Sequence, residues 1–552
     1  MKIALAQLNY TIGAFEENVS KILQAVDTAR ASKSDLVVFS ELSVCGYPPL
    51  DLLEHKFFIE KCNEAVQHIA SCIKDDIAVI VGAPSINTGS EGKNLFNSAY
   101  FITNGKIEHV IDKSLLPTYD IFDEYRYFEP SGHQNIVEFK GKRLAITVCE
   151  DLWYEQPLLT DFGKNKPYNV NPLEKLNASG FDFIINIAAS PFAHNHVSVK
   201  ESILRENAIK YNKPIVYVNQ TGAHTELIFD GASRVIDSKG STVLQLPSFE
   251  ESICFIDIDK IIAGKAVMQR LLQEDKISLI HDAIVLGIRD YFRKMGFKNA
   301  ILGLSGGIDS AVSLVLAAKA LGAPNVRALL LPSQYSSEHS VTDAIKLADN
   351  QHIQYDIVPI NDIFSAYLST LDPVFNNSRP DVTEENIQAR IRGALLMAVS
   401  NKFGNLLLNT SNKSEAAVGY GTLYGDMMGS LSVLGDIYKT EVYGLARYIN
   451  RNEEIIPVNS IIKPPSAELR ADQKDSDSLP EYELLDGILY NYIELRKSAD
   501  EIVAAGFDKD VVMRVVKMVN TSEYKRSQAP PVLRVSSKAF GFGRRMPLVA
   551  KY

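Results

Sequence analysis

The chain has 552 residues, 46% of them hydrophobic and 22% charged. That composition excludes wholesale disorder and a fibrous protein, and at about 100–200 residues per domain it leaves room for two to four domains. The balance of 57 Lys+Arg against 67 Asp+Glu gives a net charge of −10, a poor match for a protein that wraps nucleic acid.

From residue 1 to about 260, short apolar runs bounded by turns predict strands at 3–8, 36–39, 77–81, 99–102, 144–148, 183–187, 215–218 and 254–258. Helical periodicity lies between some of them, at 18–31, 57–73 and 199–211. Mixed strands and helices in this order predict a layered α/β domain. After Asp259 the pattern changes: 261–295 reads as a long helical stretch, and βα units follow with strands at 300–304, 326–331, 355–359 and 406–408. Short buried strands separated by long helices predict a doubly wound parallel sheet. The expected division is a domain over 1–260, a helical connection over 261–276 and a second domain over 277–552. No run approaches the roughly 20 apolar residues of a membrane span. The first residues form a strand-like alternation and not a secretory leader.

In the second half, residues 300–310 read AILGLSGGIDS, an apolar strand running into a helix through Gly303, Leu304, Ser305, Gly306, Gly307, Ile308, Asp309 and Ser310. Glycines admit phosphate close to the backbone, and a helix N-terminus offers unpaired N–H groups. Asp309 suits an anion site only with a cation between, so it reads as a Mg²⁺ ligand. No Walker lysine follows, and a glycine-rich turn alone could be a plain strand-to-helix turn. The full S-G-G-x-D-S string resembles the pyrophosphate loop of the ATP pyrophosphatases.

Farther along, 408–439 reads LNTSNKSEAAVGYGTLYGDMMGSLSVLGDIYK. Thr410 and Ser411 close a strand end, where ligands gather in open α/β sheets. Glu415 and Asp426 could share a helix face only if the helix ran through Gly419, Gly421 and Gly425, which argue against it. As a block, the segment resembles the NAD synthetase family of N-type ATP pyrophosphatases. The resemblance implies that Asp309 and Glu415 hold Mg²⁺, that Thr410 and Arg390 join the ATP-binding loop, and that Asn386, Glu415, Asp426, Lys439 and Lys525 serve deamido-NAD or its phosphates. Residues 466–480, polar and charged, read either as a solvated loop or as a lid. The longer segment 463–480 and 524–531 resemble the family's phosphate-side loops, and 534–547 agrees as well.

The first half holds a possible thiol site. Glu41, Lys113 and Cys149 each stand at or just past the end of an apolar run. A thiolate is a competent nucleophile, an ammonium lowers its pKa and a carboxylate can shuttle its proton. By spacing alone the reading stays open, because a cysteine closing a strand is commonly a small buried residue. The five cysteines, at 45, 62, 72, 149 and 254, show no metal or disulfide spacing and suit a reducing, cytoplasmic setting. The flanking strings SELSVCGYPPLDLL, KSLLPTYDIFDEYRYF and VCEDLW resemble the nitrilase superfamily, in particular the glutaminase domains of glutamine-dependent NAD synthetases. That resemblance implies a Glu41–Lys113–Cys149 triad, an auxiliary Glu124, and glutamine-site residues Tyr119, Glu150 and Ser190. The segment NQTGAHTELIFDGAS departs slightly, with His224-Thr225 in place of a Gln-Asp pair. His194 and His196 have no third ligand nearby and read as loop histidines.

The two resemblances together imply a nitrilase-like αββα sandwich fused to a Rossmann-like pyrophosphatase domain. They imply a ligase that takes glutamine, Mg·ATP and deamido-NAD, passes ammonia along an internal route, forms a homo-oligomer and works without nucleic acid or membrane. Three rivals are an enzyme adenylating tRNA, a non-catalytic scaffold and an amidotransferase for another carboxylate. The net charge weighs against the first, the intact motifs against the second, and the 408–439 block against the third.

Overall fold

Strands buried on both faces read as continuous apolar runs, and the first half of the chain shows why. The computed structural model describes residues 1–133, 135–156, 167–266, 275–376 and 378–550. It divides into two units, Met1–Gln273 and Glu274–Tyr552. The first unit carries β1 (Lys2–Gln7), β2 (Leu36–Val38), β3 (Ala78–Ile86), β4 (Leu95–Thr103), β5 (Lys106–Asp112), β6 (Val137–Phe139) and β7 (Lys142–Val148). They are followed by β8 (Phe183–Ala188), β9 (Ile215–Asn219), β10 (Thr221–His224), β11 (Leu227–Asp230), β12 (Arg234–Ile236), β13 (Thr242–Gln245) and β14 (Ser252–Asp257). Its helices are α1 (Phe15–Ala31), α2 (Lys56–Cys72), α3 (Pro172–Ser179), α4 (Val197–Tyr211) and the short α5 (Ile258–Ile262).

Two six-stranded sheets form, in the orders β14-β1-β2-β3-β4-β5 and β13-β12-β9-β8-β7-β6, with β10-β11 as a separate hairpin. Alternation along the strands decides the layers. Ile3, Leu5, Leu36, Val38 and Ile80 join Ile146, Val148 and Ile184 in the core between the sheets. Their neighbours Ala4, Ala6, Val37 and Val79 turn outward onto Ile22 and Val26 of α1 and Val66 and Ile69 of α2. Leu176 of α3 and Leu204 of α4 pack on the second sheet. The unit is an αββα sandwich.

The second unit contains β15 (Ala300–Gly303), β16 (Val326–Leu330), β17 (Gln354–Ile357), β18 (Leu406–Asn409) and β19 (Leu431–Ser432). They form one sheet in the order β17-β16-β15-β18-β19, and every pairing is parallel. Around it lie α6 (Lys276–Met295), α7 (Ile308–Leu321), α8 (Glu338–Asn350), α9 (Asn361–Phe375), α10 (Val382–Phe403), α11 (Lys413–Val418) and α12 (Lys439–Ile449). The strand order reverses between β15 and β18. The segments leaving those two strands therefore diverge and open a crevice at their carboxyl ends, where ligands bind in such sheets.

The structure corrects some details. The expected helical stretch over 261–295 is two helices: α5 ends at Ile262 ahead of Gly264 at φ +65. Helix α6 starts afresh at Lys276, with the Asp275 carboxylate accepting from Ile277 and Ser278 N–H. Residues 267–274 of the expected connection lie outside the described residues. Strands β5, β6, β10–β13 and β19 were not expected. Most are short, and β5 (KIEHVID) exposes Lys106, Glu108, His109 and Val110, so its apolar signal is thin.

Candidate active sites

In the first unit the candidate thiol sits on a strained turn. Cys149 follows β7 directly with φ +41, a left-handed value costly for a residue with a Cβ. The single helical turn Cys149–Leu152 thus leaves the strand abruptly. The sandwich brings Glu41, from the segment after β2, and Lys113, from the end of β5, to the same place. Lys113 Nζ donates to Glu41 Oε1 at 2.7 Å and to Glu124 Oε1 and Oε2 at 2.9 and 2.8 Å. The side chains of Lys113 and Glu41 have no exposed surface. Glu41 also accepts from Asn97 Nδ2 at 2.7 Å and from Ala189 N–H at 2.9 Å. The Tyr47 hydroxyl donates to Glu124 at 2.8 Å.

Each carboxylate here is fully engaged, which is what burying charge requires. Burial works against the Lys113 ammonium, but Glu124 and Glu41 together hold its pKa well above the ordinary lysine value. Burial, reinforced by Glu41, pushes the Cys149 thiol up, and Lys113 opposes that rise. The resting thiol therefore keeps its proton until a base removes it.

Beside the thiol, Glu150 Oε1 accepts from Tyr119, Tyr168 and Gln156 at 2.9, 2.7 and 3.0 Å. Burial raises the Glu150 pKa to about 7, against the lowering effect of the two tyrosine hydroxyls. Ser190 is fixed through its backbone by Asn219, whose side chain accepts from Ser190 N–H and donates to its carbonyl. The His224-Thr225 variation falls at the β10–β11 hairpin turn, where Thr225 takes φ +53 and His224 packs edge-on to Phe229. Sequence reading missed Asn97, Tyr168 and Gln156, which carry no motif; Tyr47 stood inside a motif without a stated role.

In the second unit the glycine loop bridges β15 and α7. Ser305 Oγ accepts from Gly307 N–H at 3.2 Å, and Ser310 Oγ donates to the Gly307 carbonyl at 3.0 Å. Gly306 is at φ +80, and a Cβ there would lie 2.1 Å from the Ser340 carbonyl oxygen. Only glycine fits. Asp309, in the first turn of α7, accepts from Asn412 Nδ2 at 2.9 Å and from Lys439 Nζ. Lys439 also lies 3.5 Å from Glu415. Burial, with Asp309 nearby, pushes the Glu415 carboxyl up to about 8. Asp309 and Glu415 each keep 18% of their side-chain surface exposed. Among the described residues no group of three His, Cys, Asp or Glu side chains is arranged for a metal. A pair of carboxylates completed by substrate phosphates is the ordinary protein share of a Mg²⁺ site.

A cavity of about 260 Å³ opens beside this loop, lined by Gly303, Leu304, Ser305, Thr410, Asp426 and Arg392 among others. Arg390 is exposed, with Nε on the Leu423 carbonyl at 3.3 Å; it does not line the cavity. Arg392, two residues on, does, and burial lowers its pKa to about 10. Asn386 accepts from the Thr422 hydroxyl at 2.7 Å, and Asp426 accepts from Thr422 N–H at 2.6 Å. Lys525 Nζ donates to the Gly419 and Gly421 carbonyls at 2.8 and 2.7 Å. Within 463–480, Ala467, Glu468 and Leu469 line the same cavity. Glu468 is tied to the Ser337 and Ser340 hydroxyls at 2.9 and 2.7 Å. That segment forms part of the cavity wall.

Comparison with known proteins agrees with this division. Residues 2–264 match the carbon-nitrogen hydrolase family and residues 280–529 match the NAD synthase family. A glutamine-dependent NAD(+) synthetase of Synechocystis sp. is 44% identical, covering 100% of this chain and 99% of that protein. One from Thermotoga maritima is 38% identical, covering 100% and 99%. Among solved structures, the glutamine-dependent NAD+ synthetase of Acinetobacter baumannii in complex with adenosine diphosphate is similar, with a TM-score of 0.77 and 38% identity over 99% of this chain and 98% of that one. The Cytophaga hutchinsonii enzyme, with a TM-score of 0.83 over 100% and 98% of the two chains but 21% identity, bears on the fold alone.

Proposed function

The chain belongs to the glutamine-dependent NAD(+) synthetases, and from that premise we infer a ligase that releases ammonia from glutamine in its first half and amidates deamido-NAD⁺ at the expense of ATP in its second. The observation that carries the first reaction is the fully buried Lys113, held 2.7 Å from Glu41 on the elements that flank Cys149. Glu41 takes the thiol proton as sulfur adds to the glutamine carboxamide carbon, and the Lys113 ammonium stabilises the developing oxyanion. The C–N bond breaks, ammonia leaves with the proton held on Glu41, and a thioester remains on Cys149. Glu41 then deprotonates water, which cleaves the thioester to glutamate and free thiol. Glu124 balances the Lys113 charge. Tyr119, Glu150 and Ser190 receive the amino-acid end of the substrate.

In the second reaction the nicotinate carboxylate attacks the α-phosphorus of ATP, pyrophosphate leaves, and ammonia then displaces AMP from the acyl adenylate. A free carboxylate does not react with amines in water, so adenylation supplies the leaving group. The backbone and hydroxyls of Ser305 to Ser310, with Gly303, Leu304 and Thr410, cradle ATP, with Arg392 from the cavity wall and Arg390 reaching in from the exposed surface. Lys439 and Lys525 serve phosphates, while Asn386 and Asp426 serve the dinucleotide. Asp309 and Glu415 are the residues that would hold Mg²⁺, which supplies neutralising charge to the phosphates when bound.

We assign the glutaminase to 1–260, the connection to 261–276 and the synthetase to 277–552, in a cytoplasmic homo-oligomer. The deciding assay follows NAD⁺, AMP and pyrophosphate from deamido-NAD⁺ and Mg·ATP, with glutamine or ammonium chloride as nitrogen donor. Product from both donors, with AMP in step, is expected. Glutamine hydrolysis without NAD⁺ from either donor would mean that the acceptor is another carboxylate.

A further inference from the structure

The thiol site depends on two backbones meeting correctly: the turn that carries Cys149 and the strand end that carries Lys113. Their side chains come from elements 36 residues apart in sequence (149 − 113). One buried side chain touches both backbones. Asp151, 1% exposed, accepts from Val148 N–H at 3.0 Å through Oδ2, and from Ser114 and Leu115 N–H at 2.9 Å each through Oδ1. Val148 precedes the nucleophile and Ser114 follows the catalytic lysine. We propose that Asp151 is a positioning residue, a carboxylate clamp that sets the Cys149 turn against the Lys113 strand end and holds the left-handed backbone of Cys149 in place.

Three features support the clamp. Both of its oxygens are turned to backbone N–H groups, so its contacts describe a tie and not a proton carrier. Lys113 N–H is in turn bound to the Asn97 carbonyl at 2.8 Å, and Asn97 also donates to Glu41; a shift of the strand end would therefore move the base as well. On the other side, Asn186 Nδ2 reaches the Cys149 carbonyl at 3.3 Å and Thr147 Oγ1 at 3.0 Å, so the turn is gripped before and after the nucleophile. Positive φ at a residue with a side chain persists only where surrounding bonds over-determine it, and these are those bonds. An asparagine at 151 would turn an N–H toward a backbone N–H and leave buried donors unpaired.

The inference rests on Cys149 being the glutaminase nucleophile, and the test separates the two. In the intact chain, Asp151→Asn and Cys149→Ala are compared with the parent enzyme for glutamine hydrolysis and ammonia-driven NAD⁺ synthesis. A displacement on the order of 1 Å at a reacting group costs about 100-fold. Asp151→Asn is expected to lower kcat for glutamine hydrolysis by about that factor. The glutamine KM and the ammonia-driven rate should stay within about threefold, and the inflections of the kcat–pH profile should not move. Unchanged kcat, or a displaced inflection with an unchanged plateau, overturns the clamp and leaves the thiol-site reading standing. Continued glutamine hydrolysis by Cys149→Ala overturns both. If Asp151→Asn also loses ammonia-driven synthesis, Asp151→Glu decides: it keeps the buried charge but moves both oxygens. Reduced kcat in that variant supports the clamp, and full kcat overturns it.

Discussion

Two lysines in this chain are each shared by two carboxylates, and their surroundings give them different work. Lys113 lies between Glu41 and Glu124 with essentially no solvent contact, and every partner is already satisfied. Lys439 lies between Asp309 and Glu415 at a crevice edge, with one contact close and the other at 3.5 Å. A closed cluster suits a reaction in which a proton moves between fixed groups. The second cluster is the more accessible of the two, since Asp309 and Glu415 keep 18% of their side-chain surface exposed, although Lys439 itself is buried. A third trio shows the same arrangement. Lys413 is buried between Asp436 at 2.8 Å and Glu494 at 2.9 Å, with the Ser536 hydroxyl at 2.8 Å. It ties α11 to the C-terminal segment.

The sharpest way to break the comparison is to remove one residue on each side. Cys149→Ala should bring glutamine-driven NAD⁺ synthesis to background while ammonia-driven synthesis stays within about twofold; Asp309→Ala should abolish both. Equal loss of both activities in the cysteine variant would dissolve the division into two sites.

A second contrast lies in stability. Lys113→Met strands two buried carboxylates and should destabilise the first unit by about 3–5 kcal/mol in urea unfolding. Lys439→Met also removes the partner of two carboxylates, but these keep 18% of their side-chain surface exposed, so its stability loss should be smaller than that of Lys113→Met, yet it should cripple synthesis from ammonia. Comparable stability losses would show that the second cluster is as closed as the first.

Smaller effects follow from pH and from the arginine pair. Glu150 must be ionised to accept an ammonium group. With its pKa raised to about 7, the glutamine KM should rise as pH falls below that value, and Glu150→Gln should flatten the dependence. The same shift carries a stability sign. The folded state binds the proton more tightly than the unfolded chain, so Glu150 lends stability at low pH that is lost as pH rises from about 4.5 to about 7. Arg392→Ala should raise the ATP KM about tenfold, the equivalent of one lost hydrogen bond to charge, while Arg390→Ala changes it little. The reverse result would return the exposed arginine to the site.

Much of this was legible in residue order. Apolar runs marked the central strands because a strand covered on both faces needs no polar alternation, and β5 escaped because one of its faces is wet. The S-G-G-x-D-S loop was legible because a strand–loop–helix turn is local: the glycines, the hydroxyls and Asp309 arrive within a few residues of one another. Cys149 was different. Its own spacing favoured a small core thiol, and only the flanking strings pointed to a nucleophile.

By itself, then, the sequence determined the two kinds of layer, the glycine loop between strand and helix and which side chains were chemically able to act, since these depend on contacts a few residues apart. Only the tertiary structure decided which of them meet. It placed Lys113 against Glu41, turned Arg392 and not Arg390 into the cavity, brought Tyr168 and Gln156 onto Glu150, and set Asp151 across two backbones. Each of those pairings is a hydrogen bond or a burial, fixed by how strands and turns distant in sequence stack in space, and no local pattern of residues encodes that distance.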